Sequence, residues 1–293
     1  MQDLRRLVLA FILWSVAASA PAEDFTVATW NVKNFPSGIY GRRAEPEVEK
    51  RKINFAAAAI NRINPDVLML QEVRDFDTCS RLAALLGPAD YHVAICSRFK
   101  DMAGIVTFQQ VAILANRKAV SAFAEEWKPE GSVTPPRGFV FASFNIDEKL
   151  VAFYSAHLKS NRTSGSRELG HQMNVLKREL SAEQLVKHVE AAHVQIPFAG
   201  VVIGADMNTN RENPLFVSEK TLDALVAAGF KDSFTGMAAN RRVTWPGKSG
   251  YPDATFDYVF HKGLRSRGEA SIMASDVSDH HIVSHTFIDP QGL

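Results

Sequence analysis

The sequence predicts an α/β fold, on three observations. Short β-rich runs alternate along the chain with helical patterns, 46% of the residues are hydrophobic, and a few kinds of polar residue recur just after the apolar runs. A length of 293 residues is enough for one large domain or two small ones around a sizeable core, which excludes disordered and fibrous classes. There is no fixed repeat period and no low-complexity tract, so solenoids and propellers drop out.

In chain order, residues 1–22 stand apart. Arg5 and Arg6 precede an apolar run from Leu7 to Ala18, and the small-residue pattern Ala20-Pro21-Ala22 follows, the layout of a secretory signal cleaved after Ala22. The run is shorter than the ~20 residues that span a bilayer, so no stable membrane anchor is expected after cleavage, and the protein is expected outside the cytoplasm, in the periplasm or beyond. Strands are then predicted at Phe25–Trp30, Val67–Leu70, Tyr91–Cys96, Val111–Ala115, Phe139–Phe144, Leu150–Ala156, Val201–Ala205, Phe256–Phe260 and Ile282–Phe287. Three helices are expected between them. One covers Glu47–Ile63 and ends before Asn64-Pro65. A second carries Leu169, Met173, Leu176 and Leu180 at spacings of four, three and four, which places them on one face. The third runs from Ser218, its N-cap, to Ala228 and is stopped by Gly229. The strands are spread too evenly for a domain cut, so residues 23–293 are read as one domain, expected to act as a monomer, with loops at 97–107, 126–138, 159–168 and 236–254.

Lys and Arg total 33 against 32 Asp and Glu, a formal charge of +1, so no global basic field marks a nucleic-acid partner and any anion recognition must be local. Cys79 and Cys96 are the only cysteines, 17 residues apart. In an exported chain a single bridge between them is the simple expectation, stabilising by roughly 3 kcal/mol in the chain-entropy model; the alternative is a pair of buried free thiols. Neither cysteine lies in a metal-ligand spacing.

The chemistry gathers at strand ends. Asn31 follows FTVATW, Glu72 follows DVLMLQ, His157 follows VAFYSA, and Asp206 and Asn208 follow VVIGA; Asp257 lies in TFDYVF, and Asp279-His280 precede the last strand. Singly, each is a turn former or a structural histidine. As an ordered set, they point to a crevice at the carboxyl ends of strands, where open α/β sheets place ligands.

The segments ATWNVKNF, LQEVRD, SAHLKSN, IGADMNTN, TFDYVF and VSDHHIV resemble the ordered signature of the endonuclease/exonuclease/phosphatase superfamily, with LQEVRD and SDH most similar to its deoxyribonuclease I branch. The resemblance implies a four-layered α/β sandwich of two mixed β-sheets flanked by helices, and divalent-metal-dependent cleavage of a phosphoester bond. It implies that Glu72, Asn31 and Asp279 hold Mg²⁺, with Mn²⁺ or Ca²⁺ as alternatives. Mg²⁺ suits such a set because it takes few protein carboxylates and keeps several waters. His280 would take the proton of the attacking water, oriented by Asp257. Asp206 and Asn208, two apart, would orient the water and phosphate or bind a second metal, and a protonated His157 would donate to the leaving oxygen.

One departure from the branch is that the acid-side histidine lacks its usual glutamate, and the nearest counterpart is Gln110, which cannot raise the His157 pKa as a carboxylate would. For the substrate, Arg74 matches an arginine that touches DNA in that branch. Lys159, Arg162 and Arg167 lie in the loop KSNRTSGSR, which could follow a phosphate backbone. RRVTWPGKSGYPD adds Arg241, Arg242 and Lys248 beside Trp245 and Tyr251, with Trp245 read as strand packing. The set points to an exported phosphodiesterase acting on nucleic acid. Alternatives are a phosphatase or sphingomyelinase of the same superfamily, although no loop offers a clear apolar hairpin for a membrane, and a binding module without catalysis, which completeness of the set disfavours.

Overall fold

Alternate residues of the first strand face different layers. Val27 packs into a core between two sheets, while Ala28, Trp30 and Val32 pack outward against a helix, so both faces are buried and the run reads as continuously apolar. The structure, a computed structural model, describes residues 24–290 other than 88–89, 164–165 and 249; the segment 1–22 read as a signal lies outside the described residues. The chain runs β1 (Phe25–Phe35), α1 (Pro46–Ile63), β2 (Val67–Val73), α2 (Phe76–Ala83), β3 (His92–Cys96), β4 (Gln110–Ala115) and β5 (Ser121–Glu126). It continues through β6 (Gly138–Ile146), β7 (Lys149–His157), α3 (Arg167–Gln195), β8 (Gly200–Asp206), α4 (Thr221–Ala227) and β9 (Lys231–Asp232). It closes with β10 (Asp257–Lys262), β11 (Leu264–Ser266), β12 (Ser271–Met273) and β13 (Ile282–Pro290).

One sheet has the order β11-β13-β1-β2-β4-β3, with β12 also on β13, and the other β5-β6-β7-β8-β10-β9. Each holds one parallel pair, β1 with β2 and β7 with β8, among antiparallel neighbours. Ile53, Ala56 and Ile60 of α1 and Leu82 of α2 cover the outer face of the first sheet; Leu185 and Val189 of α3 and Leu225 of α4 join the core that continues through the second. Two mixed sheets flanked by helices are therefore the architecture that the resemblance implied. No helix among the described residues is long and apolar enough to cross a membrane.

Several local expectations are corrected. Of the stripe on α3 only Leu180 is buried, Met173 is half-buried and Leu169 and Leu176 are exposed, while the buried line runs through Asn174, Arg178, Ser181, Leu185 and Val189. The first half of the helix lies over a polar loop, and its inward side chains bind that loop: Asn174 donates to the Arg162 carbonyl and Arg178 to the Lys159 carbonyl. α4 begins at Thr221 with Lys220 as N-cap, not at Ser218, because a one-turn helix at Pro214–Phe216 precedes it and Glu219 turns inward to pair with Arg178. Gly229 does end it, at φ 85°. α2, capped by Asp75 onto the Thr78 N–H, and edge strand β5 are too short or too exposed to show a period. Cys79 and Cys96, expected as a bridge, stand here as free thiols. The fold does bring them together, and a hydrogen bond with Cys96, reinforced by burial, holds the Cys79 thiol well above its ordinary range, which favours the protonated thiol over the thiolate.

His261 of β10 and His285 of β13 stack in the core, ring centroids 5.8 Å apart, with Phe287 against both. His261 Nδ1 and both His285 nitrogens are buried without a hydrogen-bond partner. Burial pushes both rings down to about 4, helped at His261 by His285 and Lys231; Ser266 Oγ, 3.3 Å from His261 Nε2, is the polar neighbour. The folded protein then binds fewer protons than the unfolded chain between pH 6.5 and 4, so stability is present above about 6.5 and is lost as pH falls through that window. The expected loss is up to about 3 kcal/mol per histidine. Denaturant unfolding of a His285→Phe variant should show a shallower decline from pH 7 to 4.5 than the parent; parallel declines would remove the pair as its cause.

Candidate active site

Register puts the site together. Cross-strand partners share a face, and His157 of β7 pairs with Asp206 of β8, which pairs in turn with Asp257 of β10. On the facing sheet, Asn31 of β1 pairs with Gln71 of β2. The sheets meet closely beneath: a Cβ at Gly204 would lie 2.6 Å from Met69 Cε and 2.9 Å from Thr29 Cβ, so only glycine allows the approach. Strict alternation would point Glu72 away from Asn31. Instead the β1–β2 register shifts between Asn31 and Phe35, and Lys33, Asn34 and Glu72 take φ of 47°, 48° and 60°. Each such residue costs about 1–3 kcal/mol and persists only where its surroundings hold it. The bulge turns Glu72 inward: Oε2 accepts the Asn34 N–H at 2.9 Å, and Oε1 lies 3.4 Å from Asn31 Nδ2.

Asn31 Nδ2 also donates to Asp206 Oδ2 at 2.8 Å, so one amide bridges the two carboxylates. His157 Nε2 faces the same oxygens, 3.4 Å from Asp206 and 3.9 Å from Glu72. His280 Nε2 is 4.0 Å from Asp206 Oδ2, and its Nδ1 lies 2.8 Å from Asp257 Oδ2. That ring is pinned from several sides. Thr244 Oγ1 donates to Asp257 Oδ2 at 2.8 Å while accepting the Asp257 N–H; Ser278 Oγ accepts the His280 N–H; and Trp30 Nε1 donates to the His280 carbonyl. Asn208, at φ 54°, gives its N–H to Asp206 Oδ1 at 3.0 Å, and Asn161 donates to its carbonyl.

Charge crowding dominates. Burial, with Asp257 and Glu72 nearby, lifts Asp206 to about 7 against the opposing pull of His280 and Asn31. Burial works against a charged His280, but Asp257, Asp206 and Asp279 outweigh it and raise the ring to about 10. His157 goes the other way, held well below its ordinary value by burial and by Arg137, His280 and Lys159. The protonated His157 expected from the sequence is thus corrected to a neutral ring. Gln110 does not orient it either: its amide is spent on Ser97, Phe99 and Thr107, and His157 Nδ1 is buried without a partner.

The residues fit a divalent cation. Glu72 and Asp206 offer converging hard oxygens, and Asp206, Asp257 and His280 bring ligand atoms within 4.8 Å of one another. A cation there would favour the ionised form of Asp206, which burial and its neighbours oppose. Two predicted ligands are placed differently. Asn31 turns its NH₂ to the carboxylates and its Oδ1 to the Lys33 N–H, acting as a donor. Asp279 is bound by Lys33 Nζ at 2.8 Å and by Lys248 Nζ, and these cations hold it far below the ordinary carboxylate range despite burial.

The basic residues expected at the substrate are also redistributed. Arg74 is buried, with Nη1 on Glu49 at 2.5 Å and Nε on Asp75 at 3.0 Å, because it follows the bulge at Glu72 and points under α1. Lys159 folds back onto the carbonyls of Ser160 and Arg162, whereas Arg162 is exposed; the Arg167 side chain lies outside the described residues. Arg241 and Arg242 pair with Glu269 and Glu212, and Trp245 packs on Phe256 as expected. Residues missed in the sequence are Arg137, Thr244 and Ser278. Arg137, at φ 68°, donates to the His157 and Leu158 carbonyls and feels the charges of Glu72 and Asp206. No spacing marked it or Thr244; Ser278 sat within VSDHHIV.

An oriented histidine, hard-oxygen ligands and an acid-lined crevice at strand ends define a metal-dependent hydrolase of phosphoester bonds. The chain matches the Endonuclease/Exonuclease/phosphatase family over residues 28–280, and it belongs to that family, whose enzymes depend on divalent metals. Solved structures share the fold. The family protein from Leptotrichia buccalis C-1013-b aligns at a TM-score of 0.63 and 18% identity, over 90% of this chain and 100% of that one. The human Nocturnin catalytic domain, with bound sulfate anion, aligns at 0.62 and 18%, over 90% and 94%. Truncated Caenorhabditis elegans TDP2 aligns at 0.60 and 18%, over 91% and 98%. No curated protein sequence matches the chain.

Removing one partner of a buried ion pair strands the other, typically at ~3–5 kcal/mol. Arg74→Ala should therefore lower the unfolding free energy by about that amount while leaving KM for the phosphoester cleaved within a few-fold. A large KM increase with unchanged stability would restore Arg74 to the substrate.

Proposed function

We propose that the protein is an exported nuclease that hydrolyses nucleic-acid phosphodiesters by attack of water activated at His280. The observation that carries this reading is the 2.8 Å contact of His280 Nδ1 with buried Asp257, which leaves Nε2 facing Asp206 at the crevice. Asp257, held by Thr244, keeps the ring in one tautomer and orientation, and Nε2 takes the proton of the attacking water. A divalent cation on Glu72 and Asp206 would offset charge on the phosphoryl oxygens and lessen the carboxylate field that keeps His280 protonated. Asn208 holds Asp206, and neutral His157 offers a hydrogen bond from Nε2 to a phosphoryl or leaving oxygen, the leaving oxygen taking its proton from water. Mg²⁺ is the proposed ion, the pair Cys79–Cys96 closes after export, and the signal ends at Ala22.

A second reading, a lipid phosphoesterase, is favoured by one feature. The loop after β3 folds back on itself through a Lys100–Val106 bridge, and Met102 and Ile105 at its tip are exposed. Assays of plasmid, single-stranded DNA, RNA, inositol phosphates and sphingomyelin vesicles with Mg²⁺, Mn²⁺, Ca²⁺ or chelator separate the readings; cleavage of sphingomyelin alone would replace the nuclease.

His280→Ala should reduce kcat/KM on the cleaved substrate by ~10²–10⁴-fold. Asp257→Asn should act through the same group, so the double variant should lose little beyond His280→Ala. Multiplicative losses would separate the two residues. For export, the mature protein should begin near Glu23 and show Cys79 joined to Cys96 in non-reducing mass spectrometry; protein retaining Met1, or free thiols after export, would refute the corresponding proposal.

A further inference from the structure

The mouth of the site carries three lysines that this chemistry does not use. Lys33, two residues beyond Asn31, and Lys248 both bring Nζ onto Asp279 Oδ2. Lys52 of α1 packs over Gly38, just beyond β1, and lies near enough to Lys33 and Asp279 to feel their charges. Lys33 is also within the field of Glu72, and Asp279 adjoins His280, so the cluster borders the reacting centre.

Two ammonium groups, of Lys33 and Lys248, share one carboxylate and a third, of Lys52, lies within its field, where a single lysine would neutralise it. Three separately built elements deliver them. Lys33 sits in the left-handed bulge of β1, and Lys52 on a regular helix. Lys248 lies at the end of a hairpin closed by the Trp245–Ala254 bridge, by the Gly247 N–H on Asp253 at 2.7 Å and by the Tyr251 N–H on the Lys248 carbonyl, with its Nζ 5.6 Å from the Trp245 ring centre. Like charges gathered this way repel one another, and an anion among them removes that repulsion.

We propose that Lys33, Lys52 and Lys248 form a second-phosphate subsite beside the reacting centre, so that the enzyme prefers esters carrying two neighbouring phosphates to isolated ones. The proposal rests on the phosphoester-hydrolase chemistry of the site and not on the nature of the polymer. The second phosphate comes either from the next link of a nucleic acid or from a small bisphosphorylated molecule.

Calorimetry at fixed Mg²⁺ compares thymidine 3′,5′-bisphosphate with thymidine 5′-monophosphate, and inositol 1,4-bisphosphate with inositol 1-phosphate. The proteins are the parent, Lys52→Met, Lys248→Met and Lys248→Arg. The ratio of bisphosphate to monophosphate affinity is taken on one protein sample, so an inactive fraction cancels. In the parent the bisphosphate of at least one pair should bind ~10-fold or more tightly; each methionine variant should lose most of that preference, and Lys248→Arg should keep it. Preference in the inositol pair alone keeps the subsite and counts against the nucleic-acid reading. Cleavage of DNA or RNA with equal affinities in both pairs, or a preference that survives both methionine variants, overturns the subsite.

Discussion

Asp206 is buried between Asp257 and Glu72, and the placement of nearly every polar group around it answers that concentration of negative charge. The Asn31 amide bridges two of the carboxylates, Asp257 and Asp206 together with Asp279 favour the charged form of His280, and Arg137 stands behind the crevice on the His157 and Leu158 carbonyls. Burial alone penalises a carboxylate, and like neighbours penalise it further, so the arrangement persists only because a rigid scaffold holds it. Such a field is also what draws a divalent cation, which is how a hydrolase of this family has its electrostatic work done before substrate arrives.

The scaffold supplies that rigidity through two parallel strand pairs facing each other. Their carboxyl ends emerge on one edge, and the starts of β10 and β13 reach the same edge from antiparallel neighbours. Gln71 ties the sheets together just below, with its NH₂ reaching Thr29 on one side and Ser155 on the other. The strained residues cluster here as well, and the bulge at Lys33, Asn34 and Glu72 brings Glu72, Asn31 and Lys33 together at one rim. A regular ladder would send alternate side chains to opposite faces and break the set.

Charge pairing divides the basic residues into two populations. Arg74 and Arg178 are buried and spent on Glu49 and Glu219, where they hold α1 and α3 to the loops beside them. Arg178 also reaches Asn161, which holds the Asn208 carbonyl, so a core ion pair is linked to the site through one amide. The lysines at the mouth are exposed enough to meet a substrate, Lys33 and Lys248 being 38% and 47% accessible. Lysine suits this place because its compact charge can exchange a carboxylate partner for a phosphate without the fixed fork of arginine.

By itself the sequence determined the α/β class, most strand positions and the set Asn31, Glu72, His157, Asp206, Asn208, Asp257 and His280, because buried strands are continuous apolar runs and each of these residues punctuates one. It could not determine how the side chains divide their partners. Glu72 enters the site through a positive φ that no periodicity records, and Arg74, next but one, is carried to the other side of the sheet by the same bulge. Gln110 lies where a histidine's orienting partner was expected, yet its amide is consumed by its own loop. α3 buries a polar face because a loop lies under its first half, a fact of packing that its apolar spacing contradicts. The charge state of His157, the lysine partners of Asp279 and the part played by Arg137 were likewise settled by tertiary structure, since each depends on which charges from distant segments come within a few ångströms, and Coulomb energy follows distance in space rather than separation along the chain.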